Sequence, residues 1–353
     1  MEFLLNYGLF LAKILTFAVA VIVVLVIAKS ATREENKGEL EIVNLTEKNK
    51  HVIETMESHL LNDEALKLRH KAKKKEDKAK AKQQKEAAKK AAENNEAEQN
   101  SESKAHMFVL DFKGSIDARE VTSLREEISA ILAVAKPEDE VLVRLESGGG
   151  MVHAYGLASS QLERIKQAGI PLTVTVDKIA ASGGYMMACV ANKIVAAPFA
   201  IIGSIGVIAQ IPNFNKVLKK HDIEFEQLTA GEYKRTLTMF GENTDKAREK
   251  FVSELEDVHG LFKDFITQHR QALDIEQLAT GEHWHAKQAL PLGLIDEIAT
   301  SDELIARSVQ EKEVLSVRFV QRKKLVEKIS GAAVNSVDSL LLKWINRGQR
   351  PLV

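Results

Sequence analysis

The chain has 353 residues, 45% of them hydrophobic and 5% aromatic, with a formal net charge of −1. That length suffices for one large core with appendages, and the near-neutral charge excludes a chain held to nucleic acid by global electrostatic attraction. The single cysteine, Cys189, excludes an intramolecular disulfide framework and a cysteine-rich metal site; in its apolar setting it reads as a small buried hydrophobe.

Leu4 to Ala28 is almost wholly apolar, interrupted by Asn6 and Lys13. As a helix, Leu9–Ala28 is about 30 Å long and matches a bilayer core, and Lys13 near one end can snorkel to the interface. A cleaved signal peptide would open on a basic region and close on a small-x-small site. Here Glu2 is the only early charge and no such site follows. Residues 1–30 therefore read as an uncleaved transmembrane anchor in the lipid bilayer. Lys29, Arg33 and Lys37 follow the span, so the flanking charges favour a cytoplasmic body, although large domains translocate despite such charges.

Residues 31–105 read as a charged stalk, partly helical or disordered. Lys67 to Ala92 is rich in Ala, Lys, Glu and Gln, which favour helix but supply almost nothing to bury. Asn94 to Ser103 is a polar joint. A solvated helix is the commoner fate of such a run, docking on anionic lipid the lesser one, and no nucleic-acid partner is expected.

The compact body is assigned to 106–330. Phe108–Phe112 predicts a strand, Val121–Val134 a helix, Glu140–Leu145 a strand, and Val152 to Ala168 a helix. Pro171–Val176 and Lys193–Pro198 predict further strands, the latter followed by the apolar stretch Ala200–Ile208. Alternating strands and helices indicate an α/β protein with a mainly parallel sheet. The apolar window Gly184–Ser204 is no second span, because Asn192, Lys193 and Pro198 divide it. Glu242 to His269 predicts a long charged amphipathic helix with Phe251, Leu255, Val258, Leu261, Phe262 and Phe265 on one face. Residues 331–353 form an amphipathic C-terminal tail, with Leu340, Leu341, Leu342, Trp344 and Ile345 as a packing or oligomer face rather than a membrane-surface one.

The body is organised around Asp177-Lys-Ile-Ala-Ala-Ser-Gly-Gly-Tyr-Met-Met-Ala188. A small-residue turn between strand and helix presents the Ser182 hydroxyl where backbone N–H groups converge, which suits a nucleophile whose oxyanion needs preorganised donors. On this segment alone, a serine that only caps the helix is the more ordinary role. Three other stretches change that balance. Ser147-Gly-Gly-Gly150 follows a strand, and glycines let backbone N–H groups approach a substrate carbonyl. Gly231-Glu-Tyr-Lys-Arg235 carries Lys234, which can act as a general base only if desolvation populates its neutral amine. Lowering that amine from about 10.4 to about 7–8 takes roughly 4 kcal/mol of differential solvation. Ser204, in Gly203-Ser-Ile-Gly206, can orient such a lysine. A histidine triad is the rival chemistry, but Asp177 lies on a strand leading away from Ser182, and His153, His221, His283 and His285 read as structural or surface residues. No metal ligand set has supporting spacing.

Taken in order, Ser147–Gly150, Ala181-Ser-Gly-Gly-Tyr185, Gly203-Ser-Ile-Gly-Val207 and Gly231-x-Tyr-Lys234 resemble the signal peptide peptidase family of serine–lysine proteases, peptidase family S49. The resemblance runs from about Phe108 to Ile298 and includes the N-terminal anchor. It implies Ser182 as nucleophile, Lys234 as general base, Ser204 as the residue orienting that lysine, and the Gly149 N–H as an oxyanion donor with Gly183 as the second. It implies no cofactor and no metal, and a Clp protease/crotonase-like core. It further implies homo-oligomeric assembly, peptide substrates such as signal-peptide remnants, and a bacterial inner-membrane location with the catalytic domain in the periplasm. One departure stands out: the family turn commonly reads Ser-Pro-Gly-Gly, and here Gly148 occupies the proline position, which frees the loop. Two readings from other classes remain. One is a crotonase-like acyl-thioester enzyme, for which no adenine-pocket signal is evident; the other is a catalytically silent membrane scaffold.

Overall fold

The computed structural model of the chain describes residues 38–62 and 104–321, with isolated positions between 8 and 17 and between 64 and 82. The stretch read as an anchor and most of the charged stalk are represented only by those isolated positions, and the tail 331–353 lies outside the described residues. Among the described residues no helix is long and apolar enough to cross a membrane. The chain divides into two compact units, one Glu41–Arg318 and the other comprising Met1–Leu40 and Phe319–Val353. In the second unit Gly38 lies against the Phe319 ring.

In chain order the elements begin with β1 (Glu39–Asn44), α1 (Leu45–Leu60), β2 (His106–Lys113), α2 (Val121–Leu132), β3 (Glu140–Glu146) and α3 (Val152–Gln167). There follow β4 (Leu172–Val176), β5 (Ile179–Ala181), α4 (Gly183–Ala188), β6 (Lys193–Ala196), β7 (Ile201–Gly203) and α5 (Asn215–Lys220). The chain continues through α6 (Asp245–His269), α7 (Ile275–Leu278), β8 (His283–His285), α8 (Ala286–Ala289), β9 (Glu297–Ile298), α9 (Ser301–Glu311) and β10 (Glu313–Val320).

Seven strands form one sheet in the order β1-β10-β2-β3-β4-β6-β9, and every pairing from β10 to β9 is parallel. Parallel strands require cover on both faces, which explains the apolar runs at the centres of β2 and β3 and the full burial of β4, where Thr173 and Thr175 alternate with apolar residues. On one face Phe108, Leu110, Val141, Val143 and Val174 join the main core with Leu124, Ile128, Leu162 and Ile165 from α2 and α3. On the other face Met107, Val109, Leu142 and Val314 form a smaller cluster with Leu45 and with Leu304, Ile305 and Val309 of α9. The mainly parallel α/β architecture expected from the sequence is thus the one observed.

Three details differ from the sequence reading. Residues 39–60, expected in the stalk, form β1 and α1, and β1 joins the large sheet at its edge. The alternation in Glu39-Leu-Glu-Ile-Val is a strand period, and side-chain bonds fasten its end: Asn44 Nδ2 donates to Glu313 Oε1 at 2.7 Å, and Val314 N donates to Thr46 Oγ1 at 2.9 Å. The apolar stretch Ala200–Ile208, given no element from the sequence, carries strand β7 as far as Gly203, where φ reaches +101°. On α6 the buried side chains are Phe262 and Ile266, one turn apart, whereas Leu261, expected on that face, is 69% exposed.

A second, three-stranded sheet holds β5, β7 and β8. Its first pair is parallel with Ala181 opposite Gly203, and its second is antiparallel. That small sheet is what positions the site.

Candidate active site

Ser182 links β5 to α4 with φ 52° and ψ −121°, a region that costs a non-glycine residue on the order of 1–3 kcal/mol. Its surroundings impose the conformation. Ser182 N donates to Gly203 O at 2.8 Å, and Met186 N donates to Ser182 O at 3.0 Å, starting the helix. The glycines behind it are dictated by contact. A Cβ on Gly183 would collide with the Tyr155 ring, and one on Gly184 would lie 2.5 Å from Ser147 O. The helix itself is buried throughout. Cys189, at its end, donates Sγ to Met186 O at 3.2 Å, and burial pushes its thiol up from its ordinary range.

The glycine turn packs directly on this nucleophile turn. Ser147 N donates to Ile179 O at 2.9 Å and Ala181 N donates to Ser147 O at 3.0 Å, stitching the turn to β5. Gly149 has φ +88°, and a Cβ there would lie 2.7 Å from both Gly183 N and Ser182 Cβ. Only glycine permits that approach. The Gly149 N–H donates to Ser147 Oγ at 3.1 Å, so the expected oxyanion donor sits beside Ser182 with its hydrogen engaged locally. Ser147 Oγ lies 2.5 Å from Tyr155 Oη, which in turn donates to Ser115 O at 2.8 Å. Tyr155 is wholly buried, and burial pushes its phenol up, the Ser147 contact offsetting part of the effect.

Ser204 follows the partner strand of β5. The register Ala181–Gly203 sets Ser182 and Ser204 side by side, and both have φ 52°. Ser204 N donates to Glu282 O at 2.6 Å, fastening it to the segment before β8. Beside Ser182 runs a narrow cleft lined by Gly150, Val152, Met186, Val207, Val258 and Phe262, among others. It is apolar, with the α6 residues forming one wall.

Lys234 is the exception. Its loop is closed by Lys234 N donating to Gly231 O at 3.2 Å, and the side chain is exposed. Neighbours in the loop grip the first turns of α6: Glu232 pairs with Lys246 at 2.7 Å, and Tyr233 lies under Lys246 and Lys250 at 6.0 and 5.6 Å. From Lys250 to Val258 at the cleft is about 12 Å along the helix. The single chain therefore brings Ser182, Gly149, Gly183 and Ser204 together and leaves Lys234 in solvent outside the cleft.

The histidine and carboxylate rivals are engaged elsewhere. Asp177 accepts from Ser301 N at 2.8 Å and from Ser301 Oγ at 2.5 Å, at the start of α9. His285 Nδ1 lies 3.1 Å from Phe199 O, and His153, His221 and His283 are exposed. Among the described residues no group of three or more His, Cys, Asp or Glu is placed to hold a metal ion.

Two family models divide this chain between them: peptidase family S49 N-terminal matches residues 2–162, and peptidase family S49 matches residues 164–315. The chain is also 52% identical to the probable protease SohB of Haemophilus influenzae, over 99% of this chain and 98% of that protein. The chain belongs to peptidase family S49. As an S49 peptidase it is similarly 51% identical to the probable protease SohB of Buchnera aphidicola, over 97% of this chain and 98% of that one. Likeness to protease 4 of Haemophilus influenzae is 27%, over 57% of this chain and 34% of that protein. The S49 match starting at 164 carries Ser182, Ser204 and Lys234, and the N-terminal match carries the glycine turn.

Proposed function

We propose that this S49 peptidase is a membrane-anchored serine endopeptidase with Ser182 as nucleophile and Lys234 as general base. The observation that carries the proposal is Ser182 itself: a non-glycine residue held at φ 52° on a strand-to-helix turn, with Gly149, Gly183 and Ser204 packed around it. Backbone strain at a nucleophile is tolerated where it presents the side chain to substrate. In this reading Ser182 Oγ attacks a peptide carbonyl while Lys234 takes its proton and later delivers it to the leaving amine. Water then repeats the sequence on the acyl-enzyme. The N–H groups of Gly149 and Gly183 receive the oxyanion. Gly149 must exchange Ser147 Oγ for that oxygen, an exchange favoured because hydrogen bonds to ionised acceptors are about twice as strong as neutral ones.

A base needs its amine dry, and the single chain leaves Lys234 exposed. The remedy in keeping with the observations is a homo-oligomer that covers its loop. Between β7 and α6, Ile208, Phe225, Leu228 and Phe240 are exposed apolar residues on the same segment. The apolar cleft suits hydrophobic peptides, including signal-peptide remnants. In this reading residues 1–30 provide the single span, and the family resemblance favours a catalytic domain on the periplasmic side of the inner membrane.

The test is cleavage of a hydrophobic peptide library by the wild type, Ser182→Ala and Lys234→Ala, with product masses. Both variants lose hydrolysis while melting like the wild type. The exposure of Lys234 favours one rival, a catalytically silent membrane scaffold. A fluorophosphonate adduct on Ser182 separates the two, and turnover by Lys234→Ala at the wild-type rate would sink the Ser–Lys mechanism.

A further inference from the structure

Three consecutive glycines, Gly148 to Gly150, carry one of the candidate oxyanion donors, and such a run has more backbone freedom to lose than any other tripeptide. Something must hold it. Its backbone is bonded to β5 through Ser147 at one end and, through Met151 N, to Ile116 O at 2.9 Å at the other; between those anchors the turn is tied by a chain of side-chain hydrogen bonds. The donors and acceptors run in one direction: Gly149 N–H to Ser147 Oγ, Ser147 O–H to Tyr155 Oη, Tyr155 O–H to Ser115 O. Each hydroxyl in such a chain accepts once and donates once, so each bond polarises the next. Its middle is sealed, while Gly149 and Ser115 at its two ends are half-buried. Ser147 and Tyr155 are 2% and 0% exposed, and a Cβ on Gly114 would collide with the Tyr155 and Ser147 oxygens.

The same tyrosine meets the other donor. Its ring lies so close to Gly183 that no β-carbon fits there, so one side chain supports Gly149 through its hydroxyl and Gly183 through its ring. We infer that Tyr155 is the positioning residue of the oxyanion hole, setting the glycine turn against the nucleophile turn by a hydrogen-bond relay in place of covalent stiffness in the turn. The inference rests on the serine-peptidase reading of the site. It adds that the relay fixes the turn before the oxyanion forms, after which the Gly149 N–H passes from Ser147 Oγ to the oxyanion: a turn out of place weakens oxyanion binding and leaves the ground-state complex alone.

The structure also supplies a rescue. Gly148 lies outside the left-handed region, a Cβ there would meet only Ile179 Cδ1 at 3.8 Å, and Ser147 before it is extended in its bridge to Ala180. A proline there meets no obstacle at its Cβ and stiffens the turn without the relay.

The experiment compares the full-length wild type with Tyr155→Phe, Ser147→Ala and Tyr155→Phe/Gly148→Pro. Phenylalanine removes the hydroxyl and keeps the ring on Gly183. Tyr155→Phe and Ser147→Ala each lower kcat about tenfold with KM unchanged, and Gly148→Pro restores most of the loss in the Tyr155→Phe background. Wild-type kcat in Tyr155→Phe overturns the inference, as does a loss that proline does not recover. Amide hydrogen exchange at Gly149 gives a readout independent of turnover. It rises about tenfold in Tyr155→Phe if the relay holds the turn, and unchanged exchange overturns the relay. Should the wild type cleave no peptide, the peptidase reading fails, and the exchange result alone decides whether Tyr155 pins the turn.

Discussion

Asp296 shows how one side chain can tie the sheet to the helix that walls the cleft. Its carboxylate accepts from Ile194 N at 2.7 Å, at the start of β6, and from Arg270 at 2.8 and 3.0 Å, just past α6. Burial alone would raise its pKa, but the Arg270 pair and the Ile194 N–H outweigh that and hold it below the ordinary value of 3.8. A carboxyl depressed in the folded state contributes stability that is present above its unfolded value and is lost as pH falls through its folded one. Asp296→Asn therefore melts below the wild type at neutral pH, and the gap closes below about pH 4; a constant gap across thermal melts from pH 7 to pH 3 refutes this. Residues of this kind also mark what a sequence yields. Ser182 is legible because an apolar strand breaks at Ser-Gly-Gly and resumes as a helix. Tyr155 is not, because an aromatic residue in a helical stripe looks like any core residue, and its hydroxyl partners lie 8 and 40 positions away.

At the scale of elements, α6 decides how the cleft is closed. Phe262 and Ile266 are buried while Leu261 is exposed, since neighbouring helical residues point about 100° apart. Ile266→Ala, at a fully buried site, costs about 2–5 kcal/mol of stability. Leu261→Ala stays within about 0.5 kcal/mol. Equal losses in denaturant melts would mean the helix faces the core differently. Strands β2 and β3 are readable from composition, because burial on both faces leaves their centres apolar, and β4 from its alternation of Thr with Val and Leu. β1 is not, because its period-2 pattern is short, one-third acidic and embedded in a charged stretch. It earns its place by bonds to Glu313 and Val314, about 270 residues downstream, and such long-range partners leave no local mark in the sequence.

At the scale of the molecule, the proposed dyad is split between a sheltered serine and a lysine in solvent. Sequence order gave Lys234 its place behind Ser182 and Ser204, but order carries no information on what covers a loop. If a second copy supplies that cover, hydrolysis requires assembly. Specific activity then falls on dilution, and Leu228→Glu, at a position 94% exposed, lowers both assembly and turnover while leaving the melting of the dissociated chain unchanged. Activity independent of concentration down to the monomer, followed by analytical ultracentrifugation, would overturn this.

Cys189 offers a route into the orientation of the body. It is the chain's sole thiol, walled in at the end of α4 with its sulfur bonded to Met186 O. Impermeant maleimides applied to intact cells should find nothing to label in the native protein. A cysteine substituted at Val134, 67% exposed and outside the segment between β7 and α6, would then be modified from whichever compartment it faces, against a silent background and with no need to strip the natural residue.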